Sequence, residues 1–459
     1  MLKPYENYKM CDVPGINLIP KNWEVSKNIV IFKERNTKSI EENGNLLSVS
    51  QYSGVRTRDV SKKIGMHKAD NLLGYKHVLA NDLVMNIMLA WNSSVGVSRF
   101  NGVTSPSYAV FEINSKFNPW YFHYLLRIPE MSKYFETFST GLIKSRLRLY
   151  PNTFNKMLSI IPSRSEQNQI VQYLDWKCAD IHKIIKAKKK EIKLLQEQVN
   201  SIYNDLLFGS DSNVEKKDSN VVWMGAIPRH WDICTMKQLF SIKKDIAGME
   251  GIDVISVTQS GLKIKNIENN EGQMAKSYAN YQRVKYNDFV MNHMDLLTGW
   301  IDCAKIEGVT SPDYRVFVAN NEESIDREYF LALFKLFYKR KIFFGYGQGI
   351  ATSGRWRLPK TNFLNMPVPL PPKKEQEKIH MEIKGKTDKL FLMLAKIEDE
   401  IKLLNEYRVR LISDVVTGKV DVRNIVLPSF EPEVDETDEE FDDESDNVEE
   451  LEDEVDADE

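Results

Sequence analysis

Gly102-Val103-Thr104-Ser105-Pro106-Ser107-Tyr108 returns 206 residues later as Gly308-Val309-Thr310-Ser311-Pro312-Asp313-Tyr314. A second copy of so specific a block implies a duplicated chain, and the flanking sequence repeats in the same order at offsets of 206 to 209. Upstream, Ile19-Pro20-Lys21-Asn22-Trp23 answers Ile227-Pro228-Arg229-His230-Trp231, and Ser48-Val49-Ser50-Gln51 answers Ser256-Val257-Thr258-Gln259. Asp82-Leu83-Val84-Met85-Asn86 answers Asp288-Phe289-Val290-Met291-Asn292. Downstream, Arg146-Leu147-Arg148-Leu149 matches Arg355-Trp356-Arg357-Leu358, and Glu191 to Leu195 matches Glu400 to Leu404. A period near 207 residues is too long for a solenoid, so each half is a domain-sized unit.

Each half changes texture once. Short β-branched and aromatic runs punctuated by Gly, Asn and Pro come first and predict an α+β domain. A long amphipathic stretch follows, with a seam that steps by four and three: Leu174, Cys178, Ile181, Ile185, Lys188, Ile192, Leu195, Val199, Ile202 and Leu206. The second half repeats it 209 residues on, through Ile383, Thr387, Leu390, Leu394, Ile397, Ile401, Leu404, Arg408, Leu411 and Val415. Lys188 and Arg408 interrupt the stripes and would fix register, while Gly209 and Gly418 stand where a left-handed helix cap is expected. Two equivalent stripes in one chain can cover each other. The expected architecture is two similar domains separated by two long helices in an antiparallel coiled coil, related by a pseudo-two-fold repeat. The boundaries expected are 1–162 and 223–371 for the domains, 163–209 and 372–425 for the helices, 210–222 for a linker and 426–459 for an acidic tail.

The 459 residues are 42% apolar, 10% aromatic and 28% charged, an ordinary globular composition. No apolar run is long enough to span a bilayer, and Met1-Leu2-Lys3-Pro4 opens no signal core, so a cytoplasmic protein without a membrane partner is expected. Cys11, Cys178, Cys234 and Cys303 are far apart, which argues against a disulfide framework or structural zinc site. The net charge of -3 is an average of unlike parts: residues 428–459 hold 19 Asp and Glu with no Lys or Arg, leaving 62 basic and 46 acidic residues before them. The body is thus formally +16, which suits a polyanionic partner. The tail reads either as a disordered solubilising extension or as a competitor lying over the basic face.

Catalytic patterns are weak. Asn118-Pro119-Trp120-Tyr121 is superficially like an amino-methyltransferase motif, but its repeat is Asp326-Arg327-Glu328-Tyr329, and a helix start is what both share. The histidines form no metal-ligand spacing, the glycines Gly345, Gly347 and Gly349 have no strand-turn-helix frame, and no phosphate-loop Lys-Ser/Thr appears. Polar and basic clusters point instead to nucleic acid. The candidate DNA contacts are Gln51, Arg56, Arg58, Lys62, Lys63, Arg146 and Arg148 in the first half and Gln259, Lys263, Lys265, Arg355 and Arg357 in the second, with Lys68, Asn71, Gln273, Lys276 and Arg283 as neighbours. Gln, Asn and Arg can read base edges in pairs of hydrogen bonds, and Lys mostly meets phosphate.

Residues 15–425 resemble the DNA specificity subunits of Type I restriction-modification systems. The resemblance is carried by I-P-x-x-W, D-x-V-x-N and G-V-T-S-P-x-Y, and by Ile161-Pro162 leading to Glu166-Gln167, echoed by Pro371-Pro372 leading to Glu375-Gln376. It implies two target recognition domains that read a split, asymmetric double-stranded DNA target, no catalytic activity or cofactor in this chain, and two kinds of partner. These are methyltransferase subunits, two of them, using S-adenosylmethionine, and restriction subunits using ATP and Mg. A methylation-only or related phage-defence complex is the alternative setting. A free-standing methyltransferase or nuclease, and a purely structural coiled-coil adaptor, are the rival classes. The family usually shows a double proline where this chain has Pro162-Ser163, and the acidic tail lies outside the family pattern.

Overall fold

The computed structural model describes residues 3–40, 44–51, 53–57, 72–209, 214–266, 275–349 and 356–428; the acidic tail beyond Pro428 lies outside them. The chain divides into two compact units, Met1–Lys188 with Asp399–Glu459, and Lys189–Glu398. Each unit is one α+β domain together with one end of each long helix.

In the first unit a hairpin of Tyr8–Val13 and Ile16–Pro20 leads to the strand Glu24–Lys27, which pairs antiparallel with Leu158–Ile161 and so brings the two ends of the domain together. Between them lies a four-stranded antiparallel sheet in the order Phe32–Glu34, Tyr108–Ile113, Leu83–Asn86, Val95–Val97. Two smaller ladders stand beside it: the hairpin Leu47–Ser50 with Gly54–Thr57, and Lys76–Val78 with Gly102–Thr104. The helices Pro119–Leu125, Pro129–Phe138 and Pro151–Lys156 all begin on proline, where the missing N–H would have had no helical partner. Asn118 caps the first of them by accepting from the Trp120 amide at 3.0 Å. Trp23, Phe32, Phe111, Phe122, Phe135 and Phe154 fill the core, with Phe32 edge-on to Phe122 at 5.2 Å.

The second unit repeats the plan. Asp232–Thr235 pairs with Pro367–Leu370, and the sheet runs Phe240–Lys243, Arg315–Ala319, Phe289–Met291, Ile301–Cys303. The hairpin is Ile255–Thr258 with Gly261–Ile264, and Gln282–Val284 pairs with Gly308–Thr310. Asp326 caps the helix Arg327–Lys339 as Asn118 does its own, accepting from the Tyr329 amide at 2.8 Å. The duplication read from the sequence is therefore a duplication of topology, strand for strand.

The two long helices, Arg164–Leu207 and Lys373–Val416, have 44 residues each, roughly 66 Å at 1.5 Å per residue. In the first unit the beginning of one packs with the end of the other: Leu174, Ile181 and Ile185 share a core with Leu411 and Val415, and with half-buried Ile401 and Leu404. The pairing is antiparallel, and Lys188 meets the Glu400 carboxylate across it. Arg408 places its charge beside Cys178 of the facing helix, whose thiol burial nevertheless pushes up to about 11. In the second unit Leu207 packs with Ile379 and Ile383, with Tyr203 and Leu206 against them. Leu394 and Ile397 are buried, and Ile192, Leu195, Ile202 and Leu390 are partly so.

The I-P-x-x-W blocks receive the helix ends. Gly418 and Gly209 have φ of +74° and +62°, and a Cβ on either would stand 2.4 Å from the ring of Pro20 or Pro228. Trp23 donates its indole N–H to Glu166 at 2.9 Å, and Tyr5 donates to the same carboxylate at 2.6 Å. In the second unit Glu375 takes His230 at 2.8 Å instead, and the buried indole N–H of Trp231 finds no acceptor among the described residues. Gln167 accepts from the Asn118 amide and donates to the Pro162 carbonyl; Gln376 does the same with Asp326 and Pro371. The Glu-Gln pair thus fastens each long helix to its domain.

Candidate nucleic-acid interface

Gln51 and Gln259 occupy the tips of equivalent hairpins, and Arg56 and Lys263 stand at equivalent ladder positions, opposite Ser48 and Ser256. The G-V-T-S-P block holds these hairpins in place: Thr104 donates its hydroxyl to the Leu47 carbonyl at 3.1 Å, and Thr310 to that of Ile255 at 2.9 Å. Asp82 and Asp288 are turn residues, accepting from the Leu79 and Lys285 amides and pairing with Arg35 and Lys243. Buried themselves and tied to half-buried cations and backbone amides, they are architecture rather than surface readers.

A turn ties each hairpin tip to a second element. Asn92 donates its side-chain amide to Gln51 Oε1, and neighbouring Trp91 lies under the ammonium of Lys144, 5.6 Å from the ring centre. Lys144 belongs to the exposed loop that Thr140 and Arg148 close by pairing their backbones. Leu142 and Arg146 on that loop are exposed, while Arg148 is half-buried and donates to the Leu147 carbonyl at 3.3 Å. In the second unit Gln259 reaches the Thr298 carbonyl at 3.4 Å, and the same turn bonds the second loop through Leu296 N–H to the Trp356 carbonyl at 3.1 Å. Gln348 and Arg357 close this loop, and Arg357 is exposed. Burial alone would raise the Asp295 carboxyl, but the Thr298 hydroxyl and the amides of Thr298, Leu297 and Gly299 hold it low, which fixes the turn.

Hairpin tip, turn and basic loop therefore form one composite surface in each unit, offering amide groups and cations together. Lys263 and Lys276 are exposed and Lys265 is half-buried. Arg283, half-buried, donates to the Ala247 carbonyl at 2.7 Å beside Asp245. Arg58, Lys62, Lys63, Lys68, Asn71, Gln273 and Arg355 lie outside the described residues. Sequence reading missed Asn92, Thr298 and Trp91; the first two occupy equivalent positions but share no side-chain type, so a search for repeated letters passes over them. Among the described residues there is no metal-binding group of side chains, and no helix long and apolar enough to cross a membrane.

The fold has counterparts among known proteins. Residues 229–403 match the family model described as the Type I restriction modification DNA specificity domain. The matched segment takes in the second candidate surface and most of the second long helix; the first half has the same topology. Among solved structures the chain is similar to one from a study of complex assembly and conformational transition of the type I R-M system, with a TM-score of 0.62 at 10% identity over 88% of this chain and 99% of that one. The HsdS subunit from Thermoanaerobacter tengcongensis scores 0.43 at 12% identity over 88% of this chain and 98% of its own. The S subunit from M. genitalium scores 0.34 at 11%, over 89% and 99%. No curated protein matches the chain.

Proposed function

We propose that this chain is the sequence-reading subunit of a Type I restriction-modification complex, in which each composite surface reads one part of a split target on double-stranded DNA. The observation that carries this is the recurrence of one hairpin-turn-loop surface in both units with different side chains at matching positions: Arg56 against Lys263, Asn92 against Thr298. Two readers of unlike chemistry select an asymmetric target. The subunit binds rather than catalyses, since the surfaces present amides and cations suited to base edges and phosphates.

Chemistry then belongs to partners: methyltransferase subunits using S-adenosylmethionine, and restriction subunits using ATP and Mg. The long helices carry apolar side chains toward solvent at positions that repeat. Ile184 answers Met393, and Leu194 answers Leu403, all exposed by more than a third. Exposed apolar groups at equivalent positions suit two copies of one partner, hence two methyltransferase subunits. Such a complex works on chromosomal or invading DNA, in the cytoplasm.

The test is selection of duplexes from a random pool by the full-length chain with its co-purified subunits. An enriched motif of two unlike blocks around unread bases is expected; a single continuous motif, or no enrichment, overturns the proposal.

A further inference from the structure

Each candidate reading hairpin hangs on a cation from the helical segment that follows the sheet. In the first unit Arg127 reaches under the hairpin tip. One guanidinium nitrogen donates to the carbonyls of Ser50 at 3.2 Å and Val95 at 2.8 Å, and the other to that of Gln51 at 3.0 Å. The hairpin comes this close because Gly54 has no side chain: a Cβ there would stand 2.8 Å from the His123 ring and 3.3 Å from Arg127. His123 in turn accepts from the Val97 amide at 3.2 Å, which locks the ring beneath the hairpin.

The second unit meets the same need with different groups. Lys335 stands where the repeat places Arg127, and Asp302 where it places Gly96. Lys335 pairs with Asp302 at 3.2 Å, and the other oxygen of Asp302 accepts from the Leu262 amide of the hairpin at 3.1 Å. Gly261 again permits the approach, since a Cβ would lie 2.6 Å from that carboxylate. A guanidinium holding carbonyls in one unit is replaced by an ammonium and carboxylate holding an amide in the other.

We infer that Arg127 in the first unit, and the Asp302 and Lys335 pair in the second, are specificity-positioning residues: they set the height and tilt at which Gln51 and Gln259 meet the base edges. The inference rests on the proposed DNA-reading function and deepens it. Fixed backbone contacts at the tip matter because a hydrogen-bonded base reader must be held closely, and its discrimination falls steeply with small displacements. Cations at these places also explain a basic body whose charges are not all at the surface.

The experiment measures, for the full-length complex, the ratio of affinity for the selected target to affinity for targets scrambled in one half-site. Arg127→Met is expected to reduce that ratio about tenfold at one half-site and leave the other within twofold; Arg127→Lys should lie between. Asp302→Asn, which keeps size and shape, and Lys335→Met should reduce the ratio at the opposite half-site only. Affinity for random DNA and its salt dependence should not move in any variant, a readout that a general loss of structure would not spare. Equal losses at both half-sites, or ratios unchanged in both Arg127→Met and Asp302→Asn, overturn the inference. Should wild type itself fail to discriminate at either half-site, the DNA-reading proposal falls instead.

Discussion

Gly418 and Gly209 show how a single position governs a long helix. Each ends its helix in a left-handed conformation and seats against a proline and tryptophan of the repeated I-P-x-x-W block. Alanine at either position meets both backbone strain and a 2.4 Å clash, so Gly418→Ala and Gly209→Ala should each cost about 2 kcal/mol or more, read as a lower denaturant midpoint. The sequence announced those glycines as caps, but the tryptophan they lean on was legible only as a repeated letter. Acidification is a second residue-scale probe. Burial, with Arg127 and Arg99 nearby, holds His123 well below its ordinary value, and burial with Arg315 and Arg357 brings His293 to about 4. The folded chain thus takes up these protons later than the unfolded chain does, and stability present above about pH 6.5 is lost as pH falls toward 4. Thermal melting between pH 7 and 4.5 should show that decline, and it should be shallower in His123→Gln and His293→Gln chains.

The long helices were the most legible elements, because a strict four-and-three spacing over 33 residues, from Leu174 to Leu206 and again from Ile383 to Val415, admits one face toward a partner and no strand reading. The candidate reading hairpins were less legible. Ser48 to Gln51 repeats as Ser256 to Gln259, yet nothing in those letters tells which cation supports each tip, since Arg127 and Lys335 lie some 75 residues further along the chain in each half. Side chains on the long helices should separate into two classes. Ile185, buried in the seam, should cost about 2 to 5 kcal/mol when cut to alanine. Leu194 and Leu403, both more than half exposed, should leave folding within about 0.5 kcal/mol when replaced by serine, while weakening co-purification of the methyltransferase subunits.

At the scale of the molecule, duplication and charge were both open to inspection in the sequence, whereas the sharing of each long helix between two units was not: linear boundaries cannot show that residues 399–428 return to the first domain. Tyr8 donating to the Gly418 carbonyl, and the Asp421 amide to that of Lys3, are contacts between chain segments some 410 residues apart. A body of +16 is the basis for expecting electrostatic binding to DNA. With about 6 to 10 phosphates neutralised, affinity should fall about 10³ to 10⁵ between roughly 50 and 200 mM salt, and a flat response would rule out the basic face as the DNA face. The most direct measurement replaces residues 20–160 with the corresponding region of a relative and maps the methylated sites in cells carrying the hybrid. One block of the split target should change while the other and its partner subunits stay the same; a change in both blocks, or in neither, would contradict two independent readers.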